Sequence, residues 1–197
     1  MKSKDIPLYG LVLGGGVSAR MGTDKALLNY HGQPQRDHVF ALLEKFCDHV
    51  YHSANAQAIS DGRMIKDIYP FQGPLNGILS AFNYRKDVAW ITVPVDMPFV
   101  DESVIQFLIG HRDFTKVATC FYDTNGKLPD PLLTIWEPTC AALLKTYYGS
   151  GKMSPREFLK TANIKLLQVP DKKALKNINT PSDLDEFLAL KTKNDLK

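Results

Sequence analysis

The chain has 197 residues, 44% of them hydrophobic and 23% charged, which is enough for one sizeable buried core and ordinary for a globular domain. A formal net charge of +3 gives no support for a nucleic-acid surface, which needs a basic stripe, and leaves small anionic ligands open. Three widely spaced cysteines, Cys47, Cys120 and Cys140, with no C-x-x-C, argue against a disulfide framework or a zinc site and for buried free thiols in a reducing, cytoplasmic setting; neither a secretory leader nor a bilayer-spanning stretch is expected, so no membrane partner is either.

Leu8–Leu13 is an apolar run that reads as a buried strand. A glycine-rich loop follows, and then His38–Phe46 sets Val39, Leu42, Leu43 and Phe46 at helical spacing. Val50–Ala54 is the second strand, closing in Ser53-Ala54-Asn55, and Met64-Ile65 is a short third with Asp67 just beyond it. Leu75–Phe82 reads as a helix opened by Gly73-Pro74, with Pro74 suited to the first turn. Trp90–Val95 is the apolar central strand, ended or kinked at Pro94 and followed by Asp96. Ser103–Ile109 is helical, Val117–Tyr122 and Leu132–Trp136 are strands, and Thr139–Tyr147 and Pro155–Leu159 are helices. Ile164–Val169 is a late strand, and Thr180 caps a final helix over Pro181–Leu190. No internal repeat is visible. One domain is expected over residues 1–191, with a mobile polar tail at 192–197.

Strands alternating with helices predict an α/β fold, a mostly parallel sheet with helices on both faces, to which the region Phe114–Trp136 adds an antiparallel pair. Such sheets bind ligands beyond the C-terminal ends of their strands. The chemically rich positions fall there: the glycine loop after the first strand, Ser53 to Asn55, Asp67 and Asp96.

The loop reads G-G-G-V-S-A-R-M-G-T-D-K from Gly14 to Lys25. Its glycines bring backbone N–H groups close to an anion, and Arg20 and Lys25 add two positive charges, a combination suited to a nucleoside triphosphate. The relaxed dinucleotide fingerprint G-x-G-x-x-A also fits, but that reading needs an acid at the end of the second strand, and none stands there. The phosphate-loop form fails because no G-K-[ST] follows. Asp96, in V-P-V-D-M-P-F, is placed to hold Mg²⁺ with substrate phosphates, whereas Asp101 and Ser103 are the better caps for the next helix. Asp67 either contacts nucleotide or starts a turn. Gln72 to Gly77 either makes a tight loop or offers a backbone surface to a flat ring. Asn177 and Asn179, two apart in N-I-N-T-P, share one side of an extended segment, where two amides either suit a pterin ring or phosphate oxygens or serve turn-and-cap chemistry beside Thr180. Arg156 either binds an anion or pairs with Glu157 or another acid. The scattered histidines show no ligand spacing, and no serine nucleophile elbow is present.

Together these residues resemble the molybdenum cofactor guanylyltransferase family, the MobA-type enzymes. The matching pieces are L-G-G-G-x-S-x-R-M-G-x-D-K at Leu13–Lys25, G-x-P at Gly32–Pro34, G-P-L-x-G at Gly73–Gly77, V-D-M-P-F at Val95–Phe99 and N-I-N-T-P at Asn177–Pro181. The resemblance implies a Rossmann-like three-layer fold of the nucleotide-diphospho-sugar transferase type. It implies GTP and molybdopterin as substrates and Mg²⁺ as cofactor, with GMP passed to the terminal phosphate of the molybdenum-bearing pterin and pyrophosphate released. By position, Leu13, Gly14, Gly15 and Gly16 would hold the nucleotide, with Ser53, Asp67 and Asp96. Arg20 and Lys25 would neutralise its phosphates beside Mg²⁺ on Asp96. Gly73, Pro74, Leu75, Gly77, Arg156, Asn177 and Asn179 would lie toward the second substrate. Transient contacts with proteins that make or receive the cofactor are also implied.

This chain departs from the family pattern in two places, with Gly14 where alanine is usual and Ser53 where asparagine is frequent, which leaves the base or ribose contact to Ser53 or Asn55. The competing readings are a nucleotidyltransferase with another base or acceptor, such as CTP or a sugar or polyol phosphate, and a non-catalytic nucleotide-binding homologue.

Overall fold

The computed structural model describes residues 6–14, 28, 30–54, 62–180 and 182–187. The strands are β1 (Leu8–Leu13), β2 (His49–Ala54), β3 (Met64–Lys66), β4 (Ala89–Pro94), β5 (Ala118–Tyr122), β6 (Pro129–Trp136) and β7 (Ile164–Leu167). The helices are α1 (Gln35–Glu44), α2 (Pro74–Tyr84), α3 (Glu102–Gly110), α4 (Cys140–Gly149) and α5 (Pro155–Thr161). The strands form one sheet in the order β3-β2-β1-β4-β6-β5-β7. Every pairing is parallel except those of β6, which runs antiparallel to both β4 and β5.

β1 is buried at all six positions because both of its faces are covered. Its even-numbered side chains, Leu8 and Val12, pack with α1 and α3 through Leu43, Ile105 and Leu108. Tyr9, Leu11 and Leu13 point to the other layer, where Leu75, Ile78, Leu144 and Phe158 bring α2, α4 and α5. Gly10 lets α1 approach closely, since a Cβ there would sit 3.2 Å from the Leu43 side chain and 3.2 Å from Val50. The expected three-layer arrangement is therefore observed.

Element ends moved by a few residues. α1 begins at Gln35, just after Pro34, three residues earlier than the apolar spacing suggested. β4 ends at Pro94 itself, as a residue without an N–H dictates. β6 starts at Pro129 rather than Leu132, and β7 stops at Leu167 rather than Val169. A 3₁₀ turn at Lys172–Leu175, capped by Asp171, was not anticipated. The last helical segment covers 182–187; Pro181, residues 188–190 and the expected tail lie outside the described residues. The thiols are free, with Cys120 and Cys140 buried and Cys47 half-buried. Among the described residues no helix is long and apolar enough to cross a membrane.

Candidate functional site

The chain order reverses beside β1. From β1 the chain steps out to β2 and β3 on one side and then returns to β4 on the other. The register sets Leu13 beside both Ser53 and Pro94. This is the switch point of an open sheet, where the loops leaving neighbouring strands part and leave a crevice. A cavity of about 390 Å³ occupies it, lined by Leu13, Gly14, Ser53, Asp67, Gln72, Gly73, Pro74, Pro94, Val95, Asp96 and Leu132. Gly14 is closely fitted, since a Cβ on it would lie 3.2 Å from the Ser53 carbonyl oxygen.

On the β2 side, the Ser53 hydroxyl donates to Asp67 Oδ1 at 2.8 Å. Burial raises the Asp67 carboxyl above its ordinary value, and the Ser53 hydrogen bond acts in the opposite direction. The segment after Asp67 is tied to α2 by two buried side chains. Asn76 donates to the carbonyls of Tyr69 and Phe71 at 2.8 and 2.6 Å and accepts from the Tyr69 N–H. Ser80 accepts from the Ile68 N–H and donates to Asn76. Gly73, at φ 122, starts α2 in a conformation that favours glycine, and Pro74 takes the first turn. Gly73 and Pro74 line the cavity. Leu75 is fully buried in the core beneath α2, and Gly77 is buried behind Ser53.

On the β4 side, the Asp96 carbonyl accepts the Ile178 N–H at 2.8 Å, which brings Asn177 and Asn179 beside the V-D-M-P-F turn. Asn177 is half-buried, and its Oδ1 is buried without a hydrogen-bond partner among the described residues; Asn179 is exposed. Ile178 packs with Tyr30 and Phe187 in a small cluster of its own. Tyr30 is pushed up to about 12 by burial and then by the charges of Asp96 and Asp183. The turn is held by a reciprocal cap: Asp183 accepts from Asn179 N, Thr180 N and the Thr180 hydroxyl, while Thr180 Oγ1 accepts from Asp183 N. These bonds hold the Asp183 carboxyl below its ordinary value.

Arg156 lies on α5, which packs against β6. Its positive charge acts on Asp123 and Asp130, and its Nε is buried without a hydrogen-bond partner among the described residues. Glu157, one candidate partner for it, instead pairs with Lys160 at 2.8 Å. Arg156, Asn177 and Asn179 do not line the cavity, and Gly15, Gly16, Arg20, Lys25 and Asn55 lie outside the described residues. Sequence reasoning missed Tyr30, Asn76, Asp130 and Asp183. Only Asp183 had a local signal, the T-x-x-D spacing of a capping box. No group of three or more His, Cys, Asp or Glu able to hold a metal occurs among the described residues. Asp96 does line the cavity, and one or two carboxylates completed by substrate oxygens are a usual donor set for Mg²⁺.

The family model described as "MobA-like NTP transferase domain" matches residues 10–168. The "Molybdenum cofactor biosynthesis bifunctional protein" of Synechocystis is 32% identical over 186 residues, covering 92% of this chain and 54% of its own length. The chain thus spans about half of that relative, and 59% of a 39% identical "Molybdenum cofactor guanylyltransferase" of Xanthomonas euvesicatoria, matched over 57% of this chain. Among solved structures, "Molybdopterin-guanine dinucleotide biosynthesis protein A" of Archaeoglobus fulgidus superposes with a TM-score of 0.78 at 22% identity, covering 94% of this chain and 99% of that one.

Proposed function

The chain belongs to the MobA-like NTP transferase family, and on that premise we propose that it transfers GMP from GTP to molybdopterin, forming molybdopterin guanine dinucleotide and pyrophosphate. The observation that carries the reading is the convergence of Leu13, Gly14, Ser53, Asp67 and Asp96, from the ends of four strands, on one cavity at the switch point. The Ile178–Asp96 bond then sets the N-I-N segment at its edge. A triphosphate side and a second-substrate side thus meet, as joining two substrates requires.

In this reading the N–H groups from Leu13 to Gly16 cradle the phosphates, and Arg20 and Lys25 neutralise them. The bonded Ser53–Asp67 pair holds the nucleotide at the β2 edge, while Gly73 and Pro74 wall the cavity with Leu75 and Gly77 supporting them from α2. Arg156, Asn177 and Asn179 take the phosphate and pterin of the acceptor. Asp96 fits Mg²⁺ together with nucleotide phosphate oxygens, and the ion when bound supplies neutralising charge. An oxygen of the acceptor phosphate attacks the α-phosphorus. The bond from that phosphorus to the bridging oxygen breaks, and pyrophosphate leaves with the electron pair. The attacking monoester has a second pKa of about 6 and is already anionic near neutral pH, so no strong general base is needed. One domain over residues 1–191, in the cytoplasm, carries the activity and exchanges the pterin with other proteins of the route.

The test is pyrophosphate release with Mg²⁺, molybdenum-loaded molybdopterin and each nucleoside triphosphate in turn. Release with GTP alone is expected, and Lys25→Ala and Asp96→Ala each lower turnover by roughly 10²-fold or more while circular dichroism stays unchanged. Release with CTP instead would overturn the base assignment, and GTP binding without release would overturn the acceptor.

A further inference from the structure

We infer that Ser53 serves the nucleotide through Asp67, as a positioning residue that fixes the carboxylate in the cavity, and that Gly77 is glycine to leave room for it. The inference rests on the guanylyltransferase reading and deepens it, because this chain carries serine where the family pattern favours asparagine.

Three observations meet here. Ser53 is the penultimate residue of β2 and Asp67 follows β3, and the two lie side by side at the cavity rim with their side chains bonded at 2.8 Å. That bond uses Asp67 Oδ1, and no hydrogen bond to Oδ2 is present among the described residues. A carboxylate held at one oxygen and open at the other presents an acceptor in a fixed direction to a donor N–H or O–H of a bound nucleotide. Ser53 has only one hydroxyl proton to give, and Asp67 takes it.

The third observation concerns α2. A Cβ on Gly77 would meet Ser53 Oγ at 2.4 Å and both Ser53 Cβ and Leu13 Cδ2 at 3.2 Å. The conformation of Ser53 that reaches Asp67 therefore exists only because α2 carries no side chain at that point. Gly77 is helical and buried, so a left-handed backbone is not the reason for glycine here. Close approach to Ser53 is.

The experiment is a double-mutant cycle on GTP affinity, measured calorimetrically without acceptor, using Ser53→Ala, Asp67→Asn and the pair. Ser53→Ala is expected to weaken GTP about tenfold in the native background and by no more than about twofold in Asp67→Asn. Ser53→Thr, which keeps the hydroxyl, restores most of the loss. Gly77→Ala weakens GTP in the native protein and much less in Ser53→Ala, where the clashing oxygen is gone. Equal losses in both backgrounds would show that Ser53 touches the nucleotide itself and would overturn the inference. The second readout needs no ligand: Ser53→Ala is expected to raise the Asp67 carboxyl titration followed by carbon NMR, and an unmoved titration would also overturn it. A wild-type protein that binds no GTP would sink the guanylyltransferase reading instead, and the carboxyl titration would then decide the Ser53–Asp67 link by itself.

Discussion

Gly14 shows how one methyl group bears on the site. The Ser53 carbonyl stands 3.2 Å from where its Cβ would be, tight but open to a shift of a few tenths of an ångström. Gly14 is exposed, one residue past the end of β1. Gly14→Ala, which restores the usual family residue, is therefore expected to change the GTP KM by no more than about threefold and stability by less than about 1 kcal/mol. A loss of activity above tenfold in steady-state kinetics would mean that β1 cannot yield there. Gly77 is the contrasting case, with an oxygen at 2.4 Å. Identical residue types thus have different tolerances, set by what lies across from them. The sequence shows both glycines but not these neighbours, and Asn76 was unreadable for the same reason. It stood between the recognisable letters of G-P-L-x-G, and its bonds to Tyr69 and Phe71 exist only once the preceding loop folds back on α2.

At the scale of elements, the N-I-N-T-P turn is held by the first turn of the helical segment that follows it. Its cap, Thr180 with Asp183, satisfies the N–H groups of Asn179 and Thr180. Asp183→Ala removes those acceptors and is expected to raise the KM for the pterin severalfold while leaving the GTP KM unchanged; equal effects on both would refute a role confined to the acceptor side. The sign for acidity follows from the lowered Asp183 carboxyl: the cap is intact above the ordinary carboxylate value and is lost only as pH falls through the depressed one. Element limits were legible where chemistry is local and strict. Leu8–Leu13 matched because an uninterrupted apolar run suits a strand buried on both faces, and Pro94 marked the end of β4. The start of β6 is hidden in the sequence because Pro129 and Pro131 resemble breakers. There the register slips against β5, and Asp130 Oδ1 accepts the Leu132 and Leu133 N–H groups. A side chain thus takes over where the ladder is irregular, which no periodicity can reveal. The Tyr30 placement beside Asp96 is likewise tertiary, since 66 positions separate them in the numbering.

Across the whole molecule, the end of the sheet opposite the cavity is pinned by a buried ion pair. Arg112, just past α3, meets Glu137, just past β6, in two bonds of 2.6 and 2.9 Å, with side chains 7% and 2% exposed. The guanidinium also reaches the Ile6 carbonyl and lies over the Phe114 ring, 4.4 Å from its centroid. Arg112→Ala strands a buried carboxylate and is expected to cost about 3–5 kcal/mol. Urea unfolding should show a lower midpoint at unchanged slope, with recovery when Glu137→Leu is added. A cost below about 1 kcal/mol would show that water reaches Glu137. Because the pair is remote from the cavity, its loss should leave the KM values of the folded fraction alone.

The bond from the Ile178 N–H to the Asp96 carbonyl has a consequence for how such a scaffold diversifies. It joins main chain to main chain, so no exchange of side chains except to proline at 178 removes it. The amides at 177 and 179 can be traded for other groups while the separation between the two halves of the cleft stays constant. On the proposed assignment of those amides, acceptor preference becomes an interchangeable fitting on a fixed mount, and a lineage could retool one end of the reaction without recalibrating the other.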